Sequence, residues 1–127
     1  MPKKTVFAEH AAPPGGPYSH AVIAGDHVYL AGSVPVLPDG TRLGGAPFAD
    51  QARAAFANLA TVAQAAGASL SQAVRVGVYL RDWDDFAAMN QIYIEFFGEQ
   101  NLPVRTTIPV PLKGIDIEVD AILYIGQ

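Results

Sequence analysis

An α+β domain with two helices on one face of a mixed sheet is the fold class the sequence predicts, on three observations. Two segments carry apolar residues at spacings of three and four, as amphipathic helices do. Shorter segments of alternating or continuous apolar residues lie before, between and after them. Twelve glycines and ten prolines punctuate the gaps. The implied order is three strand segments, helix, strand, helix and two strands, in a single domain over residues 1–127.

Each element has a local cause. Residues 11–20, Ala-Ala-Pro-Pro-Gly-Gly-Pro-Tyr-Ser-His, hold three prolines and two glycines, so they predict a shaped loop carrying Tyr18. Ala21-Val22-Ile23-Ala24 and Val28-Tyr29-Leu30-Ala31 flank Gly25-Asp26 and read as a β-hairpin. A second turn region runs from Leu37-Pro38-Asp39-Gly40 to Gly44-Gly45. From about Phe48 to Ala66, the apolar positions Ala52, Phe56, Leu59, Ala63 and Ala66 describe a helical stripe, and Gly67 sits where a C′ glycine ends a helix. Ala73 to Leu80 alternates Val74, Val76, Val78 and Leu80 with Arg75, Gly77 and Tyr79, the period of a strand. Asp82, Asp84 and Asp85 supply acids for the start of a second helix, with the stripe Phe86, Met89, Tyr93 and Phe96 and with Gly98 near its end. Arg105 to Leu112 and Asp116 to Ile125 are the last two strands, joined by a turn at Lys113-Gly114.

Composition narrows the chemistry. Half the residues are hydrophobic, 16% are charged and none is cysteine, which excludes disulfides, thiolate catalysis and Cys-ligated metals. Twelve acidic against eight basic residues give a net charge of −4 and a pI of about 5.1. That is the wrong sign for neutralising phosphates, so neither nucleic acid nor an anionic membrane is expected as a partner. No apolar run follows Lys3-Lys4 as a secretory signal requires, and no stretch of roughly 18 apolar residues could cross a bilayer. A soluble, cytoplasmic protein is the expectation. Helices on one face leave the other face of an apolar sheet uncovered, and a homo-oligomer with sheets turned inward is the simplest remedy. A monomer with one polar sheet face is the alternative.

Four residues stand out as candidates. Arg105, one of five arginines, opens the apolar stretch Thr106-Thr107-Ile108-Pro109-Val110, and a guanidinium fixed there suits a carboxylate or phosphate; a structural ion pair is the plainer role. Asp116, Glu118 and Asp120 alternate with apolar residues and so share one strand face, either as a solvated sheet edge or with Glu118 as a general acid/base. Tyr18 is held by its rigid loop, and Asn90 borders the stripe of the second helix. His10, His20 and His27 have no metal-ligand spacing, and no serine elbow, Walker loop or dinucleotide fingerprint is present.

These motifs together resemble the RidA (YjgF) family of enamine/imine deaminases over essentially the whole chain. The matches are Pro14 with Gly16-Pro17-Tyr18-Ser19, then Gly25-Asp26-His27-Val28-Tyr29 with Gly32 and Pro35, and Gln51 and Asn58-Leu59. They continue through Ala65-Ala66-Gly67, Val78-Tyr79-Leu80-Arg81-Asp82, Asp85-Phe86 through Asn90, Tyr93, Phe96-Phe97, Pro103-Val104-Arg105-Thr106 and Ile117-Glu118-Val119-Asp120-Ala121. The resemblance implies a chorismate-mutase-like fold, a homotrimer with sheets facing its centre, and active sites in clefts between subunits. It implies hydrolysis of 2-aminoacrylate or 2-iminopropanoate to a 2-keto acid and ammonia, without metal or organic cofactor. In that reading Arg105 grips the substrate carboxylate and Glu118 positions and deprotonates the water. Tyr18, Ala31, Gly32, Asn90 and Thr107 line the substrate pocket. Departures from the family pattern fall at His20 in place of Gln, Ala31 in place of Ser, Ser33 in place of Gln, and Thr107 in place of Cys. They bear on which imino acid fits. The alternatives are a pathway-specific deaminase of an aminomuconate-like substrate, a non-catalytic binder of small keto acids, and a ribonuclease, which the acidic pI disfavours.

Overall fold

The computed structural model describes residues 2–126, so Met1 and Gln127 lie outside it. Its strands are β1 (Lys4–Val6), β2 (Ala21–Ala24), β3 (His27–Ser33), β4 (Ala73–Leu80), β5 (Val104–Pro109) and β6 (Ile117–Tyr124). Two helices, α1 (Phe48–Ala65) and α2 (Phe86–Phe97), interrupt them. The strands form one six-stranded sheet in the order β1-β2-β3-β6-β4-β5. Only β4 and β5 pair parallel, because α2 carries the chain across the sheet between them; the other neighbours pair antiparallel. The sheet is mixed, with both helices on one face, as the sequence predicts.

Alternation decides which side chains meet the helices. Val28 and Leu30 of β3, Val76, Val78 and Leu80 of β4, and Ile117, Val119 and Leu123 of β6 are buried against Phe56, Leu59 and Val62 of α1 and Met89 and Ile92 of α2. Each such side chain contributes about 1.5–3 kcal/mol by leaving water. Helix α1 ends in a Schellman arrangement: Gly67 takes φ +77°, its N–H donates to Gln64 O (2.9 Å), and Ala68 N–H donates to Ala63 O (2.9 Å). Before α2, the Asp82 carboxylate accepts from Asp84 N–H (2.9 Å) and caps a 3₁₀ turn over Trp83–Asp85, which feeds the helix.

Several expectations shift. The third strand before α1 is β1, at Lys4–Val6, paired on β2. A bulge between Ala73 and Arg75 turns Val74 outward, so Ala73 takes its place on the core face. Strand β5 stops at Pro109 and not at Leu112, and β6 spans Ile117–Tyr124. Most consequentially, β6 lies between β3 and β4, so its carboxylates are not on a sheet edge.

The face away from the helices stays uncovered in one chain. Tyr29, Tyr124, Val104 and Ile108 lie exposed on it. Among the described residues no helix is long and apolar enough to cross a membrane.

Candidate active site

Arg105 lies on the helix face. Its partner in the parallel register is Val76, which is fully buried beneath the helices, so the guanidinium emerges under α2. There it sits 4.7 Å from the ring centroid of Tyr93 and 5.7 Å from that of Phe86, with Nη1 3.9 Å from Met89 Sδ. Arg53, Arg75 and Arg81 are paired with Glu95, Asp120 and Asp116, whereas no carboxylate of the described residues pairs with Arg105. Within one chain, Arg105 therefore makes no ion pair among the described residues. A cleft of about 490 Å³ opens beside it, lined by Asn90, Tyr93, Ile94, Leu102 and Pro103.

Three buried side-chain atoms without a hydrogen-bond partner are found among the described residues: Asn90 Oδ1, Tyr93 OH and Thr107 Oγ1. All belong to Arg105's neighbourhood, two on the helix above it and one on its own strand face two residues on. Buried polar atoms are normally paired, so a cluster of unpaired ones round a free guanidinium marks a place built for an absent partner. A carboxylate fits it, because it accepts from a guanidinium bidentately and keeps lone pairs for further donors.

Glu118 lies on the opposite face. It pairs with Tyr79, whose hydroxyl donates to Asp120 Oδ2 (2.9 Å) on the outer side of the sheet. The three acids fare differently. Asp116 precedes the strand and is held by Gln51 Nε2 (3.0 Å) from α1 and by Arg81, so it does not share Glu118's surroundings. Asp120 is paired with Arg75 (3.4 Å) and Tyr79 across Gly77, where a side chain would overlap this network. Glu118 has no cation beside it among the described residues. Burial first, and then the charge of Asp120, push its carboxyl pKa up. Its carboxylate lies over Gly32, where a Cβ would meet Oε2, so a larger residue there would oblige the Glu118 side chain to move aside.

Backbone hydrogen bonds position the loop that carries Tyr18. Ala8 N–H donates to His20 Nδ1 (2.8 Å) and His20 Nε2 bonds to Ala12 O (2.8 Å), which fixes the ring as the Nε2–H tautomer. Asn58 of α1 accepts from Ala12 N–H (3.2 Å) and donates to Val34 O and Val36 O (3.3 and 2.6 Å). His20 is thus a loop anchor. Tyr18 folds back on its own loop, accepting from Gly15 N–H (2.9 Å), and stays half exposed. With Ala31 and Gly32 it lines a second cleft of about 320 Å³, which Arg42 also borders.

The structure thus brings the sequence candidates together in two groups. Tyr18, Ala31, Gly32 and Glu118 form one, and Asn90, Arg105 and Thr107 form the other. Arg105 and Glu118 do not share a site within one chain, because their side chains leave the sheet on opposite faces. Tyr93 and Phe86, which the sequence presents as part of the apolar stripe of α2, belong to the Arg105 group. Among the described residues no three His, Asp or Glu side chains come together as a metal site.

Comparison with known proteins identifies the family and the fold. The chain is 40% identical over 124 residues to a RutC family protein of Pyrococcus horikoshii, covering 96% of this chain and 98% of that protein. It is 35% identical over 126 residues to a 2-iminobutanoate/2-iminopropanoate deaminase of Dermatophagoides farinae, covering 98% of each. Its structure resembles that of RidA from the Antarctic bacterium Psychrobacter sp. with a TM-score of 0.90 and 33% identity, over 96% of this chain and 99% of the other. Residues 8–125 match the family model described as Endoribonuclease L-PSP, and the chain belongs to that family, the family of RidA and YjgF.

Proposed function

We propose that the protein is a cofactor-free deaminase of small 2-imino acids, with its active site assembled between subunits of a homotrimer. The observation that carries this reading is the Arg105 guanidinium, unpaired within its chain, opening on a cleft with Asn90 and Tyr93, whose buried polar atoms lack partners. Such a pocket suits the carboxylate common to imino acids and their keto-acid products. The half-buried, unpaired Glu118 supplies the second requirement, a base whose raised pKa brings it toward the working pH. A neighbouring chain docked along the exposed β5 edge would bring its Glu118 to Arg105, and a trimer would repeat this three times.

In this reading Arg105 holds the carboxylate and presents the imine carbon. Glu118 takes a proton from water as the oxygen bonds to that carbon and the C=N double bond becomes single. The proton passes to nitrogen to give the carbinolamine; its hydroxyl then releases its proton, nitrogen takes up a proton, the C–N bond breaks as C=O forms, and the keto acid and ammonia leave. One water is consumed, and no metal or cofactor takes part. The deaminase named among the relatives supports this chemistry. The ribonuclease in the family description finds less support, because the chain is acidic and three of its five arginines are engaged in ion pairs.

The test is keto-acid release when the purified protein meets 2-iminopropanoate generated in place from alanine by an amino-acid oxidase. Wild type should accelerate release over buffer. Arg105→Ala should lose both turnover and pyruvate binding, and Glu118→Gln should lose turnover while keeping binding. No acceleration by wild type, or full activity in both variants, overturns the reading.

A further inference from the structure

We infer that Tyr93 is a positioning residue for ligand binding at Arg105, acting through the side chain of Asn90. The inference builds on the carboxylate-binding reading of Arg105. Tyr93 is only 5% exposed and its ring is well packed, stacked on Phe97 at 4.4 Å, edge-on to Phe56 at 5.9 Å and beneath the guanidinium at 4.7 Å. Phenylalanine would make each of these contacts. The hydroxyl adds nothing to them and is buried without a partner, an arrangement that disfavours the free fold unless another state uses it.

The missing partner is one turn away. Asn90 precedes Tyr93 by three residues on α2, which places both on one helix face, and its Oδ1 is likewise buried and unpaired. A phenolic O–H is a donor and an amide oxygen an acceptor, so the two orphans are complementary in chemistry although unbonded in the free chain. Burial pushes the Tyr93 phenol up, with Arg105 opposing it, so the hydroxyl keeps the proton it has to donate. The terminal torsion of an asparagine is soft, and both residues border the cleft beside Arg105. When a carboxylate enters, Asn90 turns, its Oδ1 accepts from the Tyr93 hydroxyl, and its Nδ2 is held toward an oxygen of the carboxylate that Arg105 grips. The binding energy of the ligand thereby closes a hydrogen bond that the free chain leaves open.

Calorimetric titration with pyruvate of wild type, Arg105→Ala, Tyr93→Phe, Asn90→Ala and the Tyr93→Phe/Asn90→Ala pair, with a melting temperature for each, tests this. Tyr93→Phe and Asn90→Ala should each weaken pyruvate binding about tenfold, a size in keeping with one hydrogen bond to a charged ligand. The double variant should bind no more weakly than Asn90→Ala alone, because Tyr93 acts through Asn90. Tyr93→Phe should melt no lower than wild type. Wild-type affinity in Tyr93→Phe, losses that multiply in the double variant, or a lowered melting temperature for Tyr93→Phe would each overturn the inference, the last by assigning the hydroxyl to the fold. If wild type binds pyruvate and Arg105→Ala does not while Tyr93→Phe matches wild type, the carboxylate reading stands and only the role of Tyr93 falls. If wild type binds no pyruvate, both fall.

Discussion

A carboxylate that is half-buried, next to Asp120 and without a cation from its own chain works against that chain's fold when ionised, and Glu118 is such a group. Its folded pKa is raised above the unfolded value, so its contribution to stability is present below the ordinary carboxylate pKa and is lost as pH rises through the folded one. Glu118→Gln should therefore raise the melting temperature at pH 7, and the gain should vanish near about pH 4, where wild-type Glu118 is itself largely neutral. The same substitution should lower turnover by roughly a hundredfold or more if Glu118 is the base. Thermal scans at the two pH values and the release assay read both effects. Arg105 was legible in the sequence as a lone charge opening an apolar strand, and Glu118 as one of three acids alternating with apolar residues. Tyr93 was not, because a tyrosine at stripe spacing is indistinguishable from core until its hydroxyl is seen to lack a partner.

At the scale of the element, the loop carrying Tyr18 depends on two side chains that reach into it from elsewhere, His20 at its end and Asn58 on α1. Asn58→Ala would leave Ala12 N–H without its acceptor and the carbonyl of Val36 without a donor, while Val34 O keeps its bond from Val36 N–H, which should cost about 1–3 kcal/mol. Amide hydrogen exchange over residues 8–20 should accelerate while α2 keeps its protection, and a uniform change across the chain would refute this local role. The helices and the hairpin were readable from period and punctuation alone. The faces of β4 and β5 were less so: the bulge at Val74 shifts the alternation by one, and Arg-Thr-Thr-Ile-Pro does not alternate at all, so only its pairing with β4 tells which way Arg105 points.

At the scale of the molecule, a chain that holds Arg105 on one face of its sheet and Glu118 on the other keeps its two chemical groups apart. Mixing unfolded Arg105→Ala and Glu118→Gln chains and refolding them together should restore part of the activity that neither variant has alone. Each intact Arg105 would then meet an intact Glu118 from another subunit. No recovery in mixtures that form trimers would place both groups in one chain's own site. The uncovered sheet face was foreseen from the layer count, since two helices cover only one side. That face also sets how the protein responds to its own concentration. If each site takes one half from each of two chains, dilution removes sites and not merely molecules. Specific activity would then decline steeply as the protein is thinned below its association threshold, and added keto acid, by bridging the halves, would hold the assembly together.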